Sequence, residues 1–498
     1  AKVLKLQNEG HQRWLKVTTE ERRSVYLNTI VIIYDPHSTY FPPDDKQDFD
    51  IRMSGKLEGI GATLQEKDGF IKITSIVPGS PSQRQGDLKE GDAIIKVAQG
   101  AGEPVDIEGW RTNDAIKLIR GKKGTEVRLT VKKPDGSTKV IPIVRDVVVL
   151  EATYAKSLVL QDANKQNKIG YIYLPQFYAD FQDRNGARCA EDVRKEIEKL
   201  KSEEVSGIIL DLRNNGGGSL SDVVDMTGFF IERGPVVQVK ARETAPQILA
   251  DRNPALQYDG KFVVMVNQFS ASASEILAAA IQDYKRGVVV GTATHGKGTV
   301  QRIYDLDEVV PNKADDVHYG AIKITTQKFY RINGGATQLK GVTPDILLPD
   351  QFASLELGEK EQEHHMEWDE IKPVSYEMWK APSNLEALRR NSKKRVEGNP
   401  MFKAITEASK QFKEQDDKKD WTLNVKKYRE LQKKLKEKSD YLEKETEKDI
   451  PELKIFNLKA DETKINSDST HLKIHEKWVK DRKQDVQLYE TLQIINEM

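Results

Sequence analysis

From residue 148 to 350, short apolar runs alternate with helical stretches, and no other feature limits the fold of this chain so strongly. The order is KIGYIYL, a Lys/Glu-rich helix near 190–202, GIILDL, the helix LSDVVDMTGFFI, KFVVMV, the helix ASEILAAAIQDYKR, GVVVG and GAIKITTQKFY. Continuous apolar strands separated by helices predict an α/β core on a largely buried sheet. The 498 residues leave room for roughly three or four folding units, so this core has neighbours.

Both flanks differ from it. Residues 52–147 carry the runs GIGATL, GFIKITSIV, DAIIKVA, TEVRLTVKK and KVIPIV between Gly and Pro turns, with one helical stretch, WRTNDAIKLIRG. About five strands and one helix predict a small β-barrel-like module. Residues 1–51 form a helical N-terminal segment expected to pack on the core. Within it, 15–34 read as a helix opened by a Thr-x-x-Glu capping box, which Asp35-Pro36-His37 and Pro42-Pro43 then break. Beyond Pro349 the composition turns to Lys, Glu and Gln, so 351–498 read as a charged helical C-terminal domain. Leu423, Tyr428, Leu431 and Leu435 recur there at helical spacing on solvated amphipathic helices.

Lys plus Arg and Asp plus Glu number 78 each, so global charge draws the chain to neither nucleic acid nor an anionic membrane. A single cysteine, Cys189, allows no internal disulfide and no cysteine metal cluster. No run approaches the roughly 20 apolar residues of a membrane span, so no transmembrane segment is expected. The first residues hold neither an initiator Met nor a signal-like apolar stretch, as expected of a processed or truncated chain.

Three loops that follow buried strands of the α/β region carry reactive or small residues, at the place where open α/β sheets put their sites. GIILDL leads into Arg213-Asn214-Asn215-Gly216-Gly217-Gly218, whose glycines let backbone N–H groups approach a ligand and form half of an oxyanion hole. KFVVMVNQF leads into Ser270-Ala271-Ser272-Ala273-Ser274-Glu275 and an Ala-rich helix, whose positive end favours a developing negative charge. GVVVG-TATHGKGTVQ supplies Lys297 and Gln301. A lysine takes a proton from a serine only when burial lowers its pKa from about 10.4 to about 7 or 8.

Plainer readings exist for each loop. Ser272-x-x-Glu275 is a good capping box, a Gly triplet is commonly a turn, and a lysine is commonly a solvated charge. These readings do not require one another, and the co-occurrence of all three loops favours a site. Gly291-Thr-Ala-Thr-His-Gly296-Lys297 mimics a phosphate-binding P-loop, but Gly298 stands where Ser or Thr should bind Mg²⁺, and TVQRIYDL reads as strand rather than helix. His471 and His475 lie four apart on a helix without a third ligand, so no metal site is expected, and His364-His365 reads as surface.

At these residues the chain resembles the tail-specific, or C-terminal processing, proteases, most closely their long bacterial periplasmic branch. The resemblance runs through DPHSTYFPP, SGKLEGIGATL, GSPSQRQGDLKEGDAIIKV, DLRNNGGGSL, FSASASEILAAAIQDYKRGVVVG, GKGTVQ and GVTPDI, and looser similarity continues into the Lys-rich C-terminal part. It implies a crotonase-like α/β protease core (148–350) with an inserted PDZ domain (52–147) and helical N- and C-terminal segments. It further implies Ser272 as nucleophile, Lys297 as base, Gln301 as the residue orienting that lysine, and the N–H groups of Gly218 and Ala273 as the oxyanion hole, with no metal or cofactor. Asp283 matches an acidic position of the family and is expected to give structural support. His295 stands where relatives carry Phe or Tyr, so a Ser-His-Asp triad is a rival to which ring packing is preferred.

Leu57-Glu58-Gly59-Ile60-Gly61-Ala62 resembles the carboxylate-binding loop of PDZ domains, and Ala115 and Ile119 on DAIKLIRG are expected to line the pocket for the last side chain. The implied function is a serine endopeptidase of the periplasm. Its substrates are proteins with apolar C-termini, and an adaptor protein is an expected partner. Two readings of other classes are a non-catalytic PDZ scaffold, against which Ser272, Lys297 and Gln301 together argue, and an acyl-thioester enzyme of the crotonase-like superfamily. The latter has no use for a PDZ insertion or a Ser/Lys pair.

Overall fold

The apolar runs of the α/β region pair in one seven-stranded sheet. Its order is Ile346–Leu347, Val288–Gly291, Lys261–Val266, Gly207–Asp211, Lys168–Tyr173, Lys156–Asp162 and Leu453–Phe456. The first five strands run parallel and the last two are added antiparallel. This is a computed structural model, and it describes residues 2–498 apart from 184, 312–316 and 380–383.

Both faces of the sheet are covered, which is why its strands read as unbroken apolar runs. Ile208, Leu210 and Val264 point into a cluster with Val223, Ile276 and Leu277 from the helices Leu220–Gly228 and Ala273–Asp283. The alternate residues Ile209, Val263 and Met265 point the other way, onto Leu488, Leu492 and Ile495 of the helix Val486–Glu497. Burying each such Leu or Ile contributes about 1.5–3 kcal/mol. The charged C-terminal third thus supplies an edge strand, Leu453–Phe456, and the cover of one sheet face. Only part of it is a solvated amphipathic helix of the kind read from the sequence: Val425–Thr446 buries none of its residues.

A second sheet, ordered Thr39–Phe41, Ala321–Tyr330, Gly234–Lys240 and Gln247–Asp251, also carries Thr299–Asp305 paired with Ala321–Tyr330. The N-terminal helix expected from residue 15 begins at Thr19, after a separate helix, Lys2–Leu15. Its capping box forms: Thr18 N–H donates to Glu21 Oε2 at 2.7 Å and Glu21 N–H to Thr18 Oγ1 at 3.1 Å. The preceding helix ends at Val31, ahead of the Asp35-Pro36-His37 and Pro42-Pro43 segment, and Pro43 also opens a further helix, Pro43–Ser54, because proline is well suited to the first helical position.

Between Lys56–Gly59 and Asp146–Val149, which pair as an antiparallel ribbon, lies a separate module. Its sheet runs Ala62–Lys67, Phe70–Ile76, Ala93–Gln99, Glu126–Lys132, Thr138–Val144, with Val105–Asp106 beside Ala93–Gln99. Beyond the expected helix, Thr112–Ile119, there is a short one, Pro81–Gln85, capped by Ser80. Its core, including Ile71, Ile73, Val97, Val127 and Leu129, shares no residue with the clusters flanking the large sheet. Among the described residues no helix is long and apolar enough to cross a membrane.

Candidate active site

Gly207–Asp211, Lys261–Val266 and Val288–Gly291 are adjacent in the sheet, so the three loops singled out in the sequence leave neighbouring strand ends. The middle loop turns sharply at Ser272, whose φ of 56° and ψ of −111° lie outside the regions a side chain prefers. Such a conformation costs roughly 1–3 kcal/mol and persists only where the surroundings enforce it. Here the outer serines of the run do so. Ser270 Oγ donates to Leu212 O at 2.8 Å, and Ser274 Oγ to Asn215 O at 2.8 Å. Half-buried Ser272 is left between them.

Glu275, read from the sequence as the far end of a capping box, does more. Its Oε2 accepts from Ser272 N–H at 2.7 Å and from Lys297 N–H at 3.0 Å, and its Oε1 from Gly296 N–H and Thr294 Oγ1, each at 2.7 Å. One carboxylate oxygen therefore joins the main chains of serine and lysine. Burial pushes its carboxyl up to about 7, while the four donors favour the ionised form. The Ser-x-x-Glu spacing signalled this residue; what the sequence could not show is that a loop some twenty residues away shares it.

Lys297 keeps part of its side chain accessible, yet its Nζ has no hydrogen-bond or ion-pair partner among the described residues. Desolvation, helped by the nearby Lys323 ammonium, lowers its pKa to about 8. Gln301 donates to Thr299 Oγ1 at 2.9 Å and Thr325 Oγ1 at 3.0 Å rather than bonding to Lys297. Thr325 in turn donates to Asp35 of the DPH segment at 2.8 Å. His295 Nε2 lies 3.5 Å from the buried Glu359, which His37 also meets at 2.8 Å, and although burial opposes them these partners hold the Glu359 carboxyl well below the usual range.

The Gly loop closes against the serine turn. A Cβ on Gly217 (φ +99°) would stand 2.8 Å from Ser272 Cβ, and one on Gly218 (φ +143°) 2.1 Å from Phe177 O. Gly217 N–H donates to Asn215 Oδ1 at 2.9 Å, whereas Gly218 N–H and Ala273 N–H donate to no acceptor among the described residues. Asp283 lies away from this centre and pairs with Arg331 at 2.5 Å.

In the smaller module, Leu57 and Gly59 belong to the ribbon, and Ala62 opens the strand Ala62–Lys67 at the sheet's free edge. Ile60 and Gly61 use their carbonyls, accepting from Ser82 N–H and Val77 N–H at 2.9 Å each, while their own N–H groups donate to no described acceptor. Ala115 and Ile119 face inward, in one cluster with Ile60. Glu66 N–H donates to Thr112 Oγ1 at 3.1 Å, bridging strand and helix at the far end. His471 faces Ser467 and Asp468, and His475 faces Asn457, with no group of three metal-binding side chains among the described residues.

A serine held in strain and an amine without a partner among the described residues, on loops joined through Glu275, together with two N–H groups that have no described acceptor, make an arrangement able to perform acyl transfer. Residues 168–348 match peptidase family S41, 49–132 match the PDZ domain, and 352–498 match the C-terminal domain of tail specific protease. The chain is 39% identical over 437 residues to the tail-specific protease of Haemophilus influenzae, covering 86% of this chain and 60% of that protein. It is 32% identical over 319 residues to the carboxy-terminal processing protease CtpA of Bacillus subtilis (64% and 62% covered) and 30% identical over 357 residues to the carboxy-terminal-processing protease of Bartonella bacilliformis (68% and 74%). Among solved structures, the PDZ domain of the carboxy-terminal protease from Vibrio cholerae in complex with peptide is 44% identical, covering 19% of this chain and 97% of its own at a TM-score of 0.18. The photosystem II D1 C-terminal processing protease is 22% identical, covering 68% and 86% at 0.37. The chain belongs to the tail-specific, carboxy-terminal processing proteases of peptidase family S41. It spans 60% and 62% of the length of the Haemophilus and Bacillus proteins.

Proposed function

We propose that this chain is a serine endopeptidase that works with a Ser272–Lys297 dyad and takes substrates by their apolar C-terminal tails. The observation that carries the reading is the joining of the Ser272 and Lys297 main chains through one oxygen of Glu275, with the lysine amine partly desolvated and without a partner among the described residues. The neutral amine takes the Ser272 Oγ proton as that oxygen attacks a peptide carbonyl. The oxyanion is received by the N–H groups of Gly218 and Ala273, the lysine passes its proton to the leaving amine, and a lysine-activated water then hydrolyses the acyl-enzyme. Gln301, the orienting residue implied by the resemblance, would reach the amine by exchanging its threonine partners.

The unused N–H groups of Ile60 and Gly61 suit a terminal carboxylate, and the free edge of Ala62–Lys67 suits strand addition by the tail. A periplasmic setting and an adaptor are carried by the family resemblance. Cleavage of an apolar-tailed polypeptide, scored by fragment masses with a chelator present, tests the reading. Ser272→Ala and Lys297→Ala should abolish cleavage, and an amidated tail should raise KM. Full activity in Lys297→Ala with loss in His295→Ala would replace the dyad by a histidine triad, and tail binding without any cleavage would leave only a scaffold.

A further inference from the structure

Read for its glycines, the loop 213–218 hides its anchor, which is Arg213. All five guanidinium N–H directions of this largely buried side chain are used. Nε donates to Asp211 Oδ1 at 3.0 Å. Nη2 donates to Asp211 Oδ2 at 2.7 Å and Asp485 Oδ2 at 2.6 Å, and Nη1 to Asp485 Oδ1 at 3.2 Å and Gln487 Oε1 at 2.9 Å. Asp211 belongs to the strand the loop leaves, but Asp485 and Gln487 come from the opposite end of the chain. Asp485 also caps Val486–Glu497, accepting from Leu488 N–H at 2.9 Å, so its position is set by the helix that covers one face of the sheet.

From Arg213 the loop has little freedom. Asn214, at φ +62°, donates its N–H to Asn267 Oδ1 at 2.9 Å, and Asn215 holds Leu174 O and Gly217 N–H. The free Gly218 N–H follows directly. An oxyanion donor acts only when held within a few tenths of an ångström of its productive place. We propose that Asp485, with Gln487 beside it, is a positioning residue for the oxyanion hole, acting through Arg213. The C-terminal third is then part of the catalytic apparatus rather than an appended domain.

The proposal rests on the peptidase reading, and turnover by the wild-type protein tells failure of one from failure of the other. Asp485→Asn keeps a good helix cap and removes one of the two carboxylate charges that hold Arg213, the one supplied by the C-terminal third. On a short activated ester that bypasses tail binding, kcat should fall at least tenfold with KM within twofold. Reaction of Ser272 with a fluorophosphonate should slow in parallel, while affinity for an apolar-tailed peptide stays unchanged. A kcat within twofold of wild type would overturn the proposal, as would a loss confined to Asp485→Ala, which would mark the residue as a cap alone. Should Asp485→Asn not fold, Gln487→Met decides: kcat lowered threefold or more at unchanged KM supports the role, and unchanged kcat overturns it.

Discussion

The large sheet and the PDZ module solve opposite problems. The core around the large sheet is built from the whole chain: the DPH segment reaches Thr325 of the second sheet through Asp35, and the C-terminal third supplies the large sheet with a strand, a covering helix and Asp485. The module keeps its own core, joins through one ribbon, and touches the N-terminal segment by exposed ion pairs. Contacts from the whole chain converge on the loops of the candidate active site, and the PDZ module is left attached by contacts that are easily exchanged.

Glycine substitutions should expose that difference most. Gly217→Ala places a Cβ against Ser272 at positive φ and should lower kcat/KM by about two to three orders of magnitude, the cost of a lost oxyanion donor, in an ester assay. Gly69→Ala, in a module turn with nothing within 4 Å of the new Cβ, should cost about 1–2 kcal/mol of stability for its positive φ and leave the ester rate untouched. Equal kinetic losses in both would erase the contrast.

A partly buried lysine in each region gives the next largest effect, with opposite signs. Lys133 pairs with the fully buried Asp92 at 2.7 Å, so Lys133→Met strands a carboxylate and should destabilise by on the order of 3 kcal/mol. Lys297 has no partner among the described residues, and its pKa near 8 lies below the ordinary lysine value, so the folded state binds its proton less tightly than the unfolded state does. Folding pays for that charge below pH 8, and the penalty fades as pH rises from about 8 towards 10. Each tenfold loss of proton affinity is worth roughly 1.4 kcal/mol, so Lys297→Met should abolish activity while stabilising the protein by up to about 3 kcal/mol at pH 7. The wild-type rate should climb as pH passes through about 8. Denaturant midpoints for both variants at pH 7 and 10 measure this, and destabilisation by Lys297→Met would show that the amine is satisfied.

What the sequence disclosed follows the same division. Strand and helix alternation, the serine run and the Gly-Lys-Gly loop are local patterns, and the adjacency of three loops follows once the strands pair in parallel. Glu275 was visible as a cap, but its hold on Lys297 depends on two loops folding together. The C-terminal third was the least legible: its Lys and Glu content signals solvent, while Leu488, Leu492 and Ile495 are buried by a sheet formed hundreds of residues earlier. Arg213 and Asp485 are each ordinary in sequence and acquire meaning only as a pair.

The ion pairs around the module should give the smallest effect and the most specific one. Lys117 meets Asp44 and Arg120 meets Asp48, each at 2.6 Å, joining the helix Thr112–Ile119 and its C-cap to Pro43–Ser54. Lys117 and both aspartates are more than half exposed, so each pair contributes about 0–1 kcal/mol and is screened further by salt. Replacing Lys117 and Arg120 by Ala should shift the unfolding midpoint hardly at all and leave ester kcat unchanged. What should change is KM for a tailed polypeptide, because the module proposed to hold the tail is no longer biased towards one placement over the core. Wild type at high salt should move towards the double variant's KM, whereas a drop in ester kcat would mean that the module's placement is built into the catalytic centre after all.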